Sequence, residues 1–234
     1  MEYSFHVYNK FASDGVTMSL EKLLLARQKT KTTGAGLRSH KNKPVDLQKK
    51  SPTFKGVNEE RSRDMEEGEQ GSALKENPPI IVCVGSDLAI GDSLGPITGS
   101  MLRYKTQGLR VFVYGTLAAP VTAKEIGAMR TFLKETHPNS PIIAVDAAVG
   151  NEGDVGLIRL YDRPLFPGAG ANKSLGEIGD FSIMGIVAEK SVANYSLLNA
   201  TRLNLVYTMS EIISDGLASL AWEHCGNKNA RKIV

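Results

Sequence analysis

The sequence predicts an α/β fold with a largely parallel central sheet and helices on both faces. Three observations carry this. Short continuous apolar runs rich in branched residues, "PIIVCVGS", "RVFVYGTL" and "PIIAVDAAVG", have the texture of strands buried on both sides. Segments with apolar residues at helical spacing alternate with them. The chain has 234 residues, 41% hydrophobic and 23% charged, enough for one such domain plus an extension.

The first 78 residues differ from the rest. "MSLEKLLLA" (residues 18–26) has the pattern of a short amphipathic helix. Residues 27–50 are rich in Lys and Arg, and residues 59–76 are mostly acidic. Few large apolar side chains lie between 27 and 77 to offset the entropy of ordering. Residues 1–78 are therefore expected to be a largely disordered extension, either a solvated tail or a basic arm for an acidic partner. The folded domain is expected over 79–222, with a tail over 223–234.

Within the domain, "PIIVCVGS" is the first strand. Helical spacing of Leu94, Ile97, Met101 and Leu102 predicts a helix from Ser93 to Tyr104. "RVFVYGTL" is the second strand. Ile126, Met129, Phe132 and Leu133 share one face of a helix over 122–135. "PIIAVDAAVG", "VGLIRLYD" and "FSIMGIVAE" supply three more strands, and residues 194–220 a long final helix. A flavodoxin-like 2-1-3 order would place the first and third strands side by side, with a ligand crevice at their C-terminal ends.

The bulk numbers exclude several classes. The formal net charge is +3, which gives no argument for nucleic-acid binding. Cys83 and Cys225 are too few and too far apart for a disulfide scaffold or a zinc site. The N-terminus "MEYSFHVYNKFASDG" lacks the pattern of a signal peptide, and no apolar run approaches transmembrane length. A cytoplasmic protein without membrane contact is expected.

The chemistry concentrates in "VCVGSDLAIGDSLGPITGSML". Asp87 and Asp92 follow the first strand, among Gly85, Gly91 and Gly95. Asp146 ends the third strand, in "AVDAAVG". If the two strands are neighbours, Asp92 and Asp146 face one another across the crevice. Two carboxylates in one partly desolvated cleft serve as acid and base towards a water, or hold a metal ion. Taken singly, Asp92 is also suited to cap a helix and Asp146 to make a turn.

A phosphate cradle fits poorly. "GSDLAIGDSLGP" is neither GxGxxG nor a P-loop, and an acidic loop repels phosphate. The histidines (His6, His40, His137, His224) lie away from both aspartate motifs in sequence, and there is no G-x-S-x-G elbow. The loop of residues 164–180, with Asn172 and Lys173, is either a lid over the crevice or a plain surface loop.

Five blocks, in order, resemble those of the YyaC family of sporulation proteins: "VCVGSDLAIGDSLGPITGSML", "VYGTLAAPVTAKEI", "IIAVDAAVG", "PGAGANKSLGEIGDFSIMGIV" and "LLNATRLNLVYTMSEIISDGL". They cover about residues 79–220. That family resembles the germination protease of spore-forming bacteria, which cuts the small acid-soluble proteins coating spore DNA. Both resemble the hydrogenase-maturation endopeptidases. The resemblance implies a three-layer α/β/α sandwich, hydrogenase-maturation-protease-like within the phosphorylase/hydrolase-like group. It also implies a catalytic pair of aspartates, Asp92 in "GDSLGP" and Asp146 in "VDAAVG". Asp87 stands where those relatives carry Asn and is given a supporting role, with Gly85 and Gly95. In the hydrogenase-maturation enzymes the equivalent acids bind metal together with a histidine, and no histidine occurs in or near "GEIGDFSIMG".

The expected function is a sporulation-associated endopeptidase acting inside the forespore or spore on a protein or peptide, small spore proteins included. Asp92 and Asp146 would activate a water, and backbone N–H groups at the start of the helix from Ser93 would hold the oxyanion. No cofactor is expected. The alternatives are a non-catalytic module binding a peptide or cation, and a metallopeptidase with metal on Asp92 and Asp146.

Overall fold

In the computed structural model, residues 1–37, 77–167, 176–190 and 201–225 are described, without the side chains of 29–37. Along the chain these form β1 (Glu2–His6), α1 (Ala12–Leu37), β2 (Ile80–Cys83), α2 (Leu94–Lys105), β3 (Phe112–Tyr114), α3 (Ile126–Thr136), β4 (Ile142–Gly150), β5 (Leu157–Tyr161), β6 (Phe181–Glu189) and α4 (Leu203–Cys225). A 3-10 turn, Gly91–Ser93, precedes α2.

The strands make one six-stranded sheet in the order β1-β5-β6-β4-β2-β3. β2 is parallel to β3 and β4, and β4 is parallel to β6. The 2-1-3 arrangement of the first three domain strands is therefore present. β5 is antiparallel to β6, and β1 is antiparallel to β5.

β2 is buried at every position, which its unbroken apolar run requires. Its side chains alternate between two cores. Ile81 and Cys83 pack with α1, α2 and α4 through Leu20, Leu94, Leu102 and Met209. Ile80 and Val82 pack on the other face with Ile126 and Leu133 of α3. Helices thus cover both faces, and the architecture is an α/β/α sandwich.

The expected extension over 1–78 needs correction at its start. β1 completes one edge of the sheet, pairing Glu2 with Tyr161 through His6 with Leu157. α1 sends Val16, Leu20, Leu23 and Leu24 into the main core. Arg27 pairs with Asp180 at 2.5 Å, and the other oxygen of Asp180 accepts the Ile142 N–H at 2.9 Å. The helix expected over 18–26 is the middle of this longer one. The burial of a few large side chains offsets the ordering of an otherwise polar segment. The C-terminal boundary also moves, because α4 runs to Cys225. Residues 38–76, 168–175 with Asn172 and Lys173, 191–200, and 226–234 lie outside the described residues. Among the described residues no helix is long and apolar enough to cross a membrane.

Candidate functional site

The site begins where β2 stops. The Val84 N–H still donates to Val145 O at 2.7 Å, and the Gly85 N–H to Val121 O at 3.0 Å. Gly85 has φ +140°, and a Cβ there would stand 2.1 Å from the backbone oxygen of Asp92. Only glycine fits both the conformation and the space. The loop then closes on itself through the Ser86 N–H to Asp92 O at 3.1 Å. The Gly91–Ser93 turn carrying Asp92 is fixed by the Ser93 hydroxyl, which donates to Ile90 O at 2.6 Å.

Gly95 holds α2 against the strand end. A Cβ at Gly95 would lie 1.9 Å from Val84 O. Ser210 of α4 donates to Leu94 O at 3.1 Å and fixes the other side of the helix start.

Asp146 comes from the neighbouring strand. It does not end that strand, as its sequence context suggested. β4 pairs with β2 only through Val145, then continues to Gly150 along β6. Asp146 is thus the first residue beyond the β2 ladder, beside the space left where β2 turns away. The turn carrying Asp92 packs against β4. The Ala147 N–H donates to Asp146 Oδ1 at 2.8 Å.

Both carboxyls hold protons more tightly than usual. Burial raises the pKa of Asp92, and hydrogen bonding from the Ser86 backbone opposes this. Asp146 retains some solvent contact but is densely enclosed. Burial raises its pKa well above the ordinary range, the charge of Asp92 raises it further, and the Ala147 N–H partly offsets both. Such a pair favours a state with one proton between two carboxyls, acid and base at once.

The other expected residues fall as follows. Gly85 and Gly95 are the two close-approach positions that aim the Asp92 loop. Asp87 is exposed in the turn after Ser86, outside the enclosed pair. The Ser93 N–H donates to Ala89 O at 3.1 Å, so it is not a free oxyanion donor as the sequence had suggested. Among the described residues no third His, Cys, Asp or Glu joins Asp92 and Asp146 within ligand distance of a common ion. Two carboxylates alone fall short of the mixed nitrogen–oxygen set of a nickel-type site.

Sequence reasoning missed a groove of about 840 Å³ along β3, the edge strand of the sheet among the described residues. Arg103, Phe112, Tyr114, Thr116, Val121 and Glu125 line it. Val121 also accepts the Gly85 N–H, which joins the groove to the aspartate loop. The signal was the pair of aromatics in "RVFVYG", since a strand buried on all sides would not leave Phe112 40% exposed.

A protein family described as "Protein of unknown function (DUF1256)" matches residues 62–216, more than half of the chain. The chain belongs to this family. It is 43% identical over 141 residues to "Uncharacterized protein YyaC" of Bacillus subtilis (strain 168), covering 60% of this chain and 68% of that one. Among solved structures, a NiFe hydrogenase maturation protease, HycI, from Thermococcus kodakarensis KOD1 is similar with a TM-score of 0.33 and 14% identity. That likeness covers 61% of this chain and 97% of the other. In this DUF1256 protein both aspartates fall inside the family match, whereas β1 and α1 precede it.

Proposed function

We propose that this protein is an endopeptidase-like hydrolase of sporulation whose working groups are Asp92 and Asp146. The observation that carries this is a placement: Asp146 is the first residue of β4 beyond the β2 ladder, and the turn that carries Asp92 packs against that strand. The resemblance of "GDSLGP" and "VDAAVG" to the aspartate motifs of the germination protease supports it.

In this reading the ionised carboxylate takes a proton from a water, whose oxygen attacks the peptide carbonyl carbon. The protonated partner donates to the carbonyl oxygen. As the C–N bond breaks, the first carboxyl gives its proton to the departing amine, and the second takes a proton back from a hydroxyl of the tetrahedral intermediate, which leaves a carboxylic acid and restores the shared proton. The substrate is an extended polypeptide, and the groove beside β3 gives it a strand edge that is unpaired among the described residues to lie along. Small spore proteins inside the forespore or spore are the proposed substrates.

A second reading is a peptide-binding module that does not cut. The exposed edge of β3 favours it, because strand addition holds a peptide without chemistry. Incubation with small acid-soluble spore proteins, read by mass spectrometry, separates the two. Defined cleavage that is lost in Asp92→Asn supports the hydrolase. Saturable binding with intact substrate supports the module.

A further inference from the structure

A second cluster of ligating side chains lies away from the aspartate pair, where α1 meets α4. The two helices touch closely. Thr17 Oγ1 donates to Gly216 O at 3.0 Å, and a Cβ at Gly216 would stand 2.7 Å from Val16 Cβ. One turn further along α1 is Glu21, and about two turns further along α4 are Glu223 and His224. One ligand atom from each of Glu21, Glu223 and His224 lies within 4.8 Å of the others.

Three features of this cluster are hard to explain by side-chain packing alone. His224 Nε2 is shielded from solvent and has no hydrogen-bond partner. Such an atom costs free energy unless something binds it. Glu223 sits in the last turn of α4, where the helix dipole disfavours a negative charge, and a second carboxylate, Glu21, is beside it. A cation would reverse the sign of both interactions.

The third feature is a distance. His224 Nε2 and Glu21 Oε1 are 3.4 Å apart, too far for a good hydrogen bond. Zinc binds histidine nitrogen at about 2.0–2.1 Å and carboxylate oxygen at about 2.0–2.2 Å, so tetrahedral geometry sets the two donors roughly 3.4 Å apart.

We propose that Glu21, Glu223 and His224 form a zinc-type divalent metal site that ties the N-terminal helix to the C-terminal one. One nitrogen and two oxygens make a donor set suited to zinc or a neighbouring first-row cation, with a fourth position left for water. The site would fasten α1, which precedes the family match, onto the end of α4, the helix that begins within that match.

The test is a zinc titration by calorimetry on full-length, tag-free, chelator-stripped protein. It is run in the Asp92→Asn/Asp146→Asn background, so that the aspartate pair contributes no carboxylates. One ion per chain is expected, with a rise in Tm and, for cobalt(II), the visible absorption of a tetrahedral site. Glu21→Gln and His224→Asn should each weaken binding by about tenfold or more, with circular dichroism confirming that the fold is kept. Glu223→Gln alters an exposed side chain and should weaken binding without any packing change. Absence of stoichiometric binding, or affinity unchanged in all three variants, would overturn the proposal.

Discussion

The charge of Asp92, in the turn after β2, raises the pKa of Asp146, in the middle of the neighbouring strand β4. This relationship depends on a difference in strand length. β2 stops at Cys83, while β4 runs on to Gly150. Asp146 therefore emerges beside the loop that Gly85 and Gly95 pack tightly.

The raised pKa makes Asp146 a cost to stability at neutral pH. Its folded pKa lies above the ordinary 3.8, so between these values the native state binds more protons than the unfolded state. Stability falls as pH rises through that window. Asp146→Asn keeps an acceptor for the Ala147 N–H and removes the charge. It should raise stability at pH 7 by on the order of 1 kcal/mol, a few degrees in Tm. Urea denaturation from pH 8 down to pH 4 should show the gain shrinking as the wild-type carboxyl takes up its proton. A gain independent of pH would contradict the assignment.

Gly95→Ala should be strongly destabilising, because its Cβ would meet Val84 O at 1.9 Å. The backbone must move, at a cost of about 1–3 kcal/mol or more. Gly127→Ala is the matched control. It lies in α3 with nothing within 4 Å of its Cβ, and should gain up to about 1 kcal/mol from helix propensity. Thermal denaturation of the two variants should move in opposite directions.

Leu20→Ala tests whether the N-terminal helix belongs to the domain. Leu20 is fully buried, so its truncation should cost about 2–5 kcal/mol. Met18→Ala, on the same helix but 56% exposed, should change stability by less than about 0.5 kcal/mol. Equal, small effects would return α1 to the status of a solvated tail.

Much of this architecture was legible in the sequence. The run from Ile80 to Cys83 and that from Ile142 to Val145 are continuous because both faces are covered, and that continuity marks parallel strands. The adjacency of those two strands followed as well, and with it the nearness of Asp92 to Asp146. The N-terminal elements were not legible. β1, "EYSFH", is an edge strand with polar residues and no clean alternation. α1 runs straight into a basic stretch whose composition hides its apolar face. The cluster of Glu21, Glu223 and His224 could not be read at all, since its members come from opposite ends of the chain. The availability of the Ser93 N–H also depended on local geometry, because the 3-10 turn uses it internally.

If the pair is catalytic, removing either carboxylate should be far worse for activity than removing Asp87. Asp87 is exposed in the turn and lies outside the enclosed pair. Asp87→Asn should retain activity within a few-fold, whereas loss of a general acid or base costs about 10²–10⁴-fold. Initial rates on a fluorescent peptide derived from a cleaved spore protein would show the contrast.

The central claim is tested most directly by timed incubation of the full-length protein with small acid-soluble spore proteins, with fragments identified by mass spectrometry. Wild-type protein should release defined fragments. Asp92→Asn and Asp146→Asn, folded and at least as stable, should release none above background. Cleavage by both variants at the wild-type rate would contradict the account.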